Sequence, residues 1–402
     1  MKLHIAIPAL DELEFLPQTL TAITKQKPDY PFQVYICVNQ PDEWWNDKEK
    51  IEICKSNQKL LHFLEEFKDF NIYIIDRASK NKGWKRNEHG VGWARKTLFD
   101  EIFKTAADDD ILISLDADTL FNESYFQSVG ENFTQNNIEV LAVPYYHKLT
   151  EDESANRAIL RYELYLRNYF INMYRISSPY AFTAIGSALA VKIKVLKKIR
   201  GITPLSSGED FYLLQKLRKM MPVSNYNSEW VYPAARFSTR VPFGTGPAML
   251  KFSKENFHGY PIYHHSLFDK IKETYNILPE LFIQDKKTEF IDFLKEQYKT
   301  DDLWSPLRKN FKTLPQFTRA FHEKADGLRI LQFLKAKYTE QNISDEKALT
   351  DNFTLSAFCF QPSALNLLCI TELNSIRDLL FKMEMQQRRC ENSLDEIILS
   401  II

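Results

Sequence analysis

The chain has 402 residues, 44% of them apolar and 26% charged, a composition that builds packed globular units and not a disordered chain. Its 52 Lys and Arg stand against 53 Asp and Glu, so the basic excess that a nucleic-acid binder spends on phosphates is missing. Neither G-x-G-x-x-G nor G-x-x-x-x-G-K-[ST] occurs, which excludes a standard dinucleotide loop and a P-loop.

Leu3 to Ile7 reads as a buried strand with Pro8 at its exit. Phe15, Leu16, Thr19, Leu20 and Ile23 then recur at helical spacing. Val34–Val38 predicts a second strand, residues 47–67 a helix, Asn71–Ile75 a third strand and residues 90–104 another helix. Ile111–Leu115 predicts a fourth strand that runs straight into Asp116-Ala117-Asp118. Strand–helix alternation of this kind implies right-handed crossovers, a mainly parallel sheet and ligands at the C-terminal strand ends. A long helical segment follows from about 151 to 175, and Ala188–Val191 is a short apolar run after Gly186-Ser187. Beyond residue 250 only Gly259 and Gly327 remain of eleven glycines, and the pattern turns helical, as in Leu373, Ile376, Leu380 and Met383. Two regions are therefore expected: an α/β domain over 1–250 and a helical C-terminal region over 251–402.

Cysteines at 37, 54, 359, 369 and 390 form no C-x-x-C pair, which fits reduced thiols of a cytoplasmic protein. Pro8, Asp11 and Glu12 interrupt the N-terminus too early for a signal-peptide core, and Gln361, Pro362 and Asn366 break the most apolar later stretch. The expectation is a cytoplasmic chain without a membrane span, with peripheral membrane contact left open.

The strongest chemical signal is Leu112-Ile113-Ser114-Leu115-Asp116-Ala117-Asp118, an apolar strand that delivers two carboxylates to a sheet edge. In extended chain, positions i and i+2 point the same way. Two such carboxylates 4 Å apart repel by roughly 4 kcal/mol at an effective dielectric near 20. A divalent cation removes that repulsion, and oxygen ligands suit Mg²⁺ or Mn²⁺. The competing reading is a plain strand end whose acidic residues cap the next helix. A second signal is Ser207-Gly208-Glu209-Asp210-Phe211-Tyr212-Leu213, which is either a helix start with favoured carboxylates or the seat of a general base.

Ile5-Ala6-Ile7-Pro8-Ala9-Leu10-Asp11-Glu12, with Leu16 and Leu20 after it, resembles the I-P-A-Y-N-E opening of family 2 glycosyltransferases, enzymes of the GT-A fold. Asp116-Ala117-Asp118 stands at the family's D-x-D, Gly186-Ser187 at its acceptor-side strand, and Gly208-Glu209-Asp210-Phe211-Tyr212-Leu213 at its G-x-E-D-x-x-L segment. The resemblance covers residues 1–245. It implies that Pro8, Ala9, Leu10 and Glu12 line the nucleotide base pocket, that Asp116 faces the ribose, and that Asp118 holds the metal, Mn²⁺ or Mg²⁺. Asp210 would deprotonate the acceptor hydroxyl, Glu209 would orient the acceptor beside Gly186 and Ser187, and the sugar carbon would invert. The donor would be a nucleoside-diphosphate sugar, UDP-linked before GDP-linked. The acceptor would be a saccharide, a lipid-linked intermediate or a small hydroxylated molecule.

The sequence departs from the family in places. Its second strand ends Val38-Asn39-Gln40-Pro41 without the usual acidic turn, leaving Asn39 to bond the base edge, and Leu10 replaces the family's Tyr. Two basic segments are candidates for the diphosphate: Arg95, in a helix where the family carries a basic residue near the nucleotide, and Arg240, in Arg236-Phe237-Ser238-Thr239-Arg240 ahead of a Gly-rich loop. His264 and His265, as neighbours, are expected to point apart and to share no ion. Trp44 and Trp45 serve either a sugar face or core packing. Two rival readings stand beside the transferase: a non-catalytic nucleotide or saccharide binder on the same fold, and a sugar-1-phosphate nucleotidyltransferase. The latter expects a Gly-rich basic loop where this chain has Pro8-Ala9-Leu10-Asp11-Glu12.

Overall fold

The computed structural model describes residues 1–85, 88–205, 208–237, 260–353, 365 and 368–389. Arg240, Ser207, His258 and the Gly-rich loop lie outside the described residues. The chain separates into two compact units, residues 1–159 with 182–250, and residues 160–181 with 251–402. The second unit thus includes a segment, 160–181, that a single boundary at 250 assigns to the first.

The first unit is a mixed α/β layer structure. Its elements begin β1 (Leu3–Ala9), α1 (Leu16–Thr24), β2 (Phe32–Asn39), α2 (Ile51–Glu66), β3 (Ile72–Arg77), α3 (Val91–Phe103) and β4 (Ile111–Ser114). After β5 (Leu120–Phe121) come α4 (Tyr125–Gln135), β6 (Val140–Ala142), the start of α5 (Glu153–Arg175, which belongs to the second unit from residue 160), β7 (Leu189–Lys192), α6 (Ile193–Lys198), α7 (Glu209–Met220) and β8 (Val231–Tyr232). The main sheet runs β3-β2-β1-β4-β7-β6. β1 pairs in parallel with β2 and β4, and β2 with β3, whereas β7 runs antiparallel to both β4 and β6. Every residue of β1 and β4 is buried, which is why these segments are nearly continuous apolar runs, as central strands covered on both faces must be.

Two local features differ from the sequence expectation. Pro8 lies inside β1 and pairs with Cys37. The β1–β4 pairing ends at Ala6–Ser114, and Ala6 O accepts from Leu115 N on that side, so the N–H that Pro8 lacks faces no strand. The second helix begins at Ile51, not at 47, after a 3₁₀ turn over Asp42–Asn46. Asp47 Oδ1 accepts from Glu49 N at 2.8 Å, an Asx turn that competes with helix and delays its start.

The strand order reverses between β1 and β4: the chain leaves β1 toward β2 and β3, then returns to β1's other side. The C-terminal ends of β1 and β4 therefore flank the crevice where open α/β sheets bind ligands. Pro8, Ala9, Leu10 and Glu12 lie at one of these ends, and Asp116 and Asp118 at the other.

The second unit is helical, with helices at His265–Asn276, Leu278–Ile283, Glu289–Tyr298, Ser305–Asn310, Leu314–Lys324, Gly327–Tyr338, Asp345–Phe353 and Ile370–Arg388. No helix among the described residues is long and apolar enough to cross a membrane. A buried ionic lattice ties the last helix to α5. Arg167 donates to Glu163 at 2.9 Å and to Glu384 at 2.6 Å, Arg377 to Glu163 at 3.2 Å, and Arg388 to Glu384 at 2.6 Å. All five side chains are buried, so each charge is tolerated only through its partners. Glu384→Gln removes the carboxylate that Arg167 and Arg388 share, and is expected to destabilise this unit by about 3–5 kcal/mol, measured by urea unfolding followed in the far-UV.

Candidate active site

Each carboxylate at the reversal point is brought there by a different local device. Thr19, in α1, donates its hydroxyl to Ala117 O at 2.9 Å and lies 3.2 Å from Thr119 O, which pins the loop carrying Asp116 and Asp118 against the first helix. Ser114 Oγ donates to Gly186 O at 2.8 Å, joining the end of β4 to the segment before β7. Gly208 takes φ +71° as the residue before α7, a left-handed turn that favours glycine. That turn starts the helix at Glu209 and Asp210, where the helix dipole favours carboxylates.

Two guanidinium groups then divide the acids between them. Arg95, on α3, is 4% exposed, and donates to Asp116 at 2.5 Å and to Glu209. It reaches them because residue 186 is glycine: a Cβ there would stand 2.1 Å from Arg95 Nη2. Burial opposes the charge on Arg95, but Asp116 and Glu209 outweigh it and hold the guanidinium more firmly protonated than usual. Arg236 donates through Nε to Asp118 Oδ2 at 2.8 Å and through Nη2 to both Glu12 oxygens at 2.7 and 2.8 Å. Its guanidinium also lies over the Phe15 ring, 4.0 Å from the centroid. The repulsion anticipated between Asp116 and Asp118 is thus relieved within the chain, one arginine for each carboxylate.

Asp210 is the exception among the acids. Burial, and next the negative charge of Glu209, push its carboxyl up to about 7, against the pull of Arg95 and a 2.7 Å bond from Phe211 N. Burial also raises Asp116, with Arg95 opposing. A half-buried carboxyl that changes charge near neutrality beside a ligand crevice can move a proton.

Several residues anticipated as ligand contacts have other places. Arg95, expected at the diphosphate, is buried in ion pairs with Asp116 and Glu209. Asn39 is 2% exposed, and its amide nitrogen donates to Ala9 O at 2.9 Å and Cys37 O at 3.3 Å while its oxygen accepts from Trp84 Nε1 at 3.3 Å. It ties the ends of β1 and β2 together and has no free edge for a base. Ser187 is fully buried, so its side chain offers an acceptor no surface. Pro8 and Ala9 are buried in β1, and Leu10 is half-buried in the turn after it. Trp45 Nε1 donates to Ala78 O at 3.1 Å, a structural use of that ring. In the second unit, the His264 and His265 rings do not point apart but lie 4.1 Å centroid to centroid, because His264 caps the helix that His265 begins. Each faces its own carboxylate, Asp351 and Asp269.

Arg236 is the site residue that sequence reasoning passed over in favour of Arg240, four positions on in the same basic segment. Its one sequence signal is membership of that basic segment, and the structure places it four residues beyond β8, which pairs with β5 after the D-x-D loop. Among the described residues, no three His, Cys, Asp or Glu side chains gather as a ready-made metal site.

No protein-family profile and no curated protein matches the sequence. Among solved structures, TarS residues 1–349 of S. aureus in complex with UDP-GlcNAc is similar at 11% identity and a TM-score of 0.41, over 97% of this chain and 92% of that one. The mannosyltransferase PcManGT of Pyrobaculum calidifontis in complex with GDP-Man and Mn²⁺ gives 12% identity and a TM-score of 0.38, over 98% and 87%. At these scores the likeness carries nothing about substrate or activity.

The raised Asp210 has a consequence for stability. Its folded value, about 7, lies above the ordinary 3.8, so the stability it contributes is complete below the unfolded value and is lost as the pH rises through 7. Asp210→Asn carries no such loss. The variant is expected to melt above the wild type at pH 8, with the gap closing as the pH falls toward 4, measured by differential scanning fluorimetry.

Proposed function

We propose that the first unit is a glycosyltransferase domain, which moves a sugar from a nucleoside-diphosphate sugar to an acceptor hydroxyl. The observation that carries this reading is Asp210, a carboxyl poised near neutrality at the first turn of α7, next to the D-x-D carboxylates at the sheet's reversal point. Support also comes from the order of the four motifs that resemble family 2 glycosyltransferases.

In the proposed reaction the acceptor oxygen attacks the sugar's anomeric carbon from the side opposite the leaving group. Asp210 takes the hydroxyl proton, the bond to the nucleoside diphosphate breaks, and the configuration inverts. The turn after β1, with Leu10 and Glu12, flanks the base, and Asp116 faces the ribose. UDP is the preferred donor class over GDP. Asn39 and Arg95 serve by position: the first fixes the strand ends, and the second keeps Asp116 and Glu209 in place and restrains the rise of Asp210. Glu209, buried against Arg95, sets the charge beside Asp210.

A hard divalent ion fits the donor set, which is carboxylate oxygen throughout and holds more carboxylates than guanidiniums. Asp118 would hold it, and Mn²⁺ or Mg²⁺ there would supply a Lewis acid for the departing diphosphate.

Calorimetric titration of UDP and GDP, with and without Mn²⁺, into wild type and Asp118→Ala tests the donor site. One nucleotide is expected to bind in a manner that depends on Asp118; silence from both under every condition refutes the reading. With a turnover assay in hand, Asp210→Asn is expected to lower kcat by about 10²–10⁴-fold while nucleotide binding persists. The base must be deprotonated, so kcat/KM is expected to rise with pH through an apparent value of about 7. Glu209→Gln removes the negative neighbour and should move that limb to lower pH.

A further inference from the structure

The two guanidinium groups of the site are not equivalent. Arg95 is locked: its side chain is 5% exposed and closed over by Gly186. Arg236 is 20% exposed, and its anchor on one side is an aromatic face, Phe15, which holds a cation without fixing where its N–H edge points. Along that edge, the carboxylate through which Asp118 would receive a divalent ion already accepts a hydrogen bond from Nε at 2.8 Å, with Nη2 2.7 Å from the same oxygen. Glu12 accepts from the same guanidinium through both oxygens.

We propose that Arg236 is an exchangeable counter-ion of the donor site, which keeps a free divalent cation off Asp118 and passes to the diphosphate when the nucleotide brings the ion in. This rests on the proposed donor site. The guanidinium against Asp118 Oδ2 offsets that carboxylate's charge and opposes the approach of a lone dication. Without the guanidinium, Asp118 keeps its full charge and its oxygens for the ion. A diphosphate changes the balance because it offers Arg236 another two-oxygen anionic partner, which a guanidinium fork can bind bidentately as it binds a carboxylate. Arg236 then leaves Asp118 for the phosphate oxygens, and Asp118 is free for the ion. Metal and nucleotide therefore enter together, each raising the other's affinity by the same factor, as linkage requires.

The test is uptake of Mn²⁺ alone, read from the loss of the free-ion EPR signal, by wild type, Arg236→Gln, Arg236→Lys and the double variant Arg236→Gln/Asp118→Asn. Arg236→Gln is expected to bind Mn²⁺ at least about tenfold more tightly than wild type, an ordinary size for coupling between two ligands. Arg236→Lys, which keeps the charge and loses the fork, should fall between them, and the double variant should lose the gain. Added UDP or GDP should tighten Mn²⁺ on the wild type and do much less for Arg236→Gln. Equal Mn²⁺ affinity in wild type and Arg236→Gln overturns the proposal, as does uptake by neither. A calorimetric control separates the two ideas. Nucleotide binding together with equal Mn²⁺ affinities sinks only the counter-ion role. No binding of UDP or GDP to the wild type sinks the donor site, and the hand-over with it.

Discussion

Five carboxylates gathered at one sheet edge are the constraint to which the site's architecture answers. Glu12, Asp116, Asp118, Glu209 and Asp210 come from three places in the chain, and left alone they would repel one another and disfavour the fold that collects them. The chain meets this in three ways. It buries one guanidinium between Asp116 and Glu209, lays a second across Asp118 and Glu12, and leaves the fifth acid to hold a proton near neutrality. The glycines follow from the same demand. Gly186 exists as glycine because Arg95 must pass where a Cβ would be, and Gly208 because the helix that carries two of the acids begins with a left-handed turn.

In the proposed reaction these features of stability are also what the chemistry uses. A carboxyl raised toward neutrality costs folding free energy at every pH where it would otherwise be ionised, and that same elevation makes it able to accept a proton from a hydroxyl. The neighbour responsible for part of the cost, Glu209, is itself buried and paired to Arg95. Arg95 therefore acts at two distances: it cancels Glu209 in contact and tempers Asp210 from further away. Replacing it with a neutral residue would strand Glu209 in the interior and carry Asp210 higher still, so loss of Arg95 would not mimic loss of a ligand contact.

Much of the fold was legible because its signals are local and redundant. Four parallel strands show as apolar runs ending in polar turns, and the helices between them as threes and fours; β1 itself runs on through Pro8 to Ala9, two residues past its apolar run. The antiparallel placement of β7, between β4 and β6, had no sequence mark, since a four-residue apolar run reads the same in either direction. Nor did periodicity show that residues 160–181 group with the distant helices, because α5 is one unbroken helix and the grouping depends on partners such as Glu384 and Arg388 two hundred residues away.

The acids of the candidate site stand in short sequence motifs and its cations do not, and the asymmetry has a physical cause. The acids sit within short motifs whose spacing reflects backbone geometry, a strand end or a first helical turn, which sequence records directly. An arginine acts through a long side chain and can serve a site from any nearby element, so its position in sequence says little about which charge it will meet. Arg95 and Asn39 looked like ligand contacts because they stand near the right strand ends. Both are spent inside the protein, one on carboxylates and the other on backbone carbonyls. Arg236 looked like one basic residue among several, yet it is the guanidinium that reaches solvent while touching both Glu12 and Asp118. Which charge neutralises which is a property of three-dimensional packing, and in a crowded acidic crevice that assignment decides where an anionic ligand can find a positive partner.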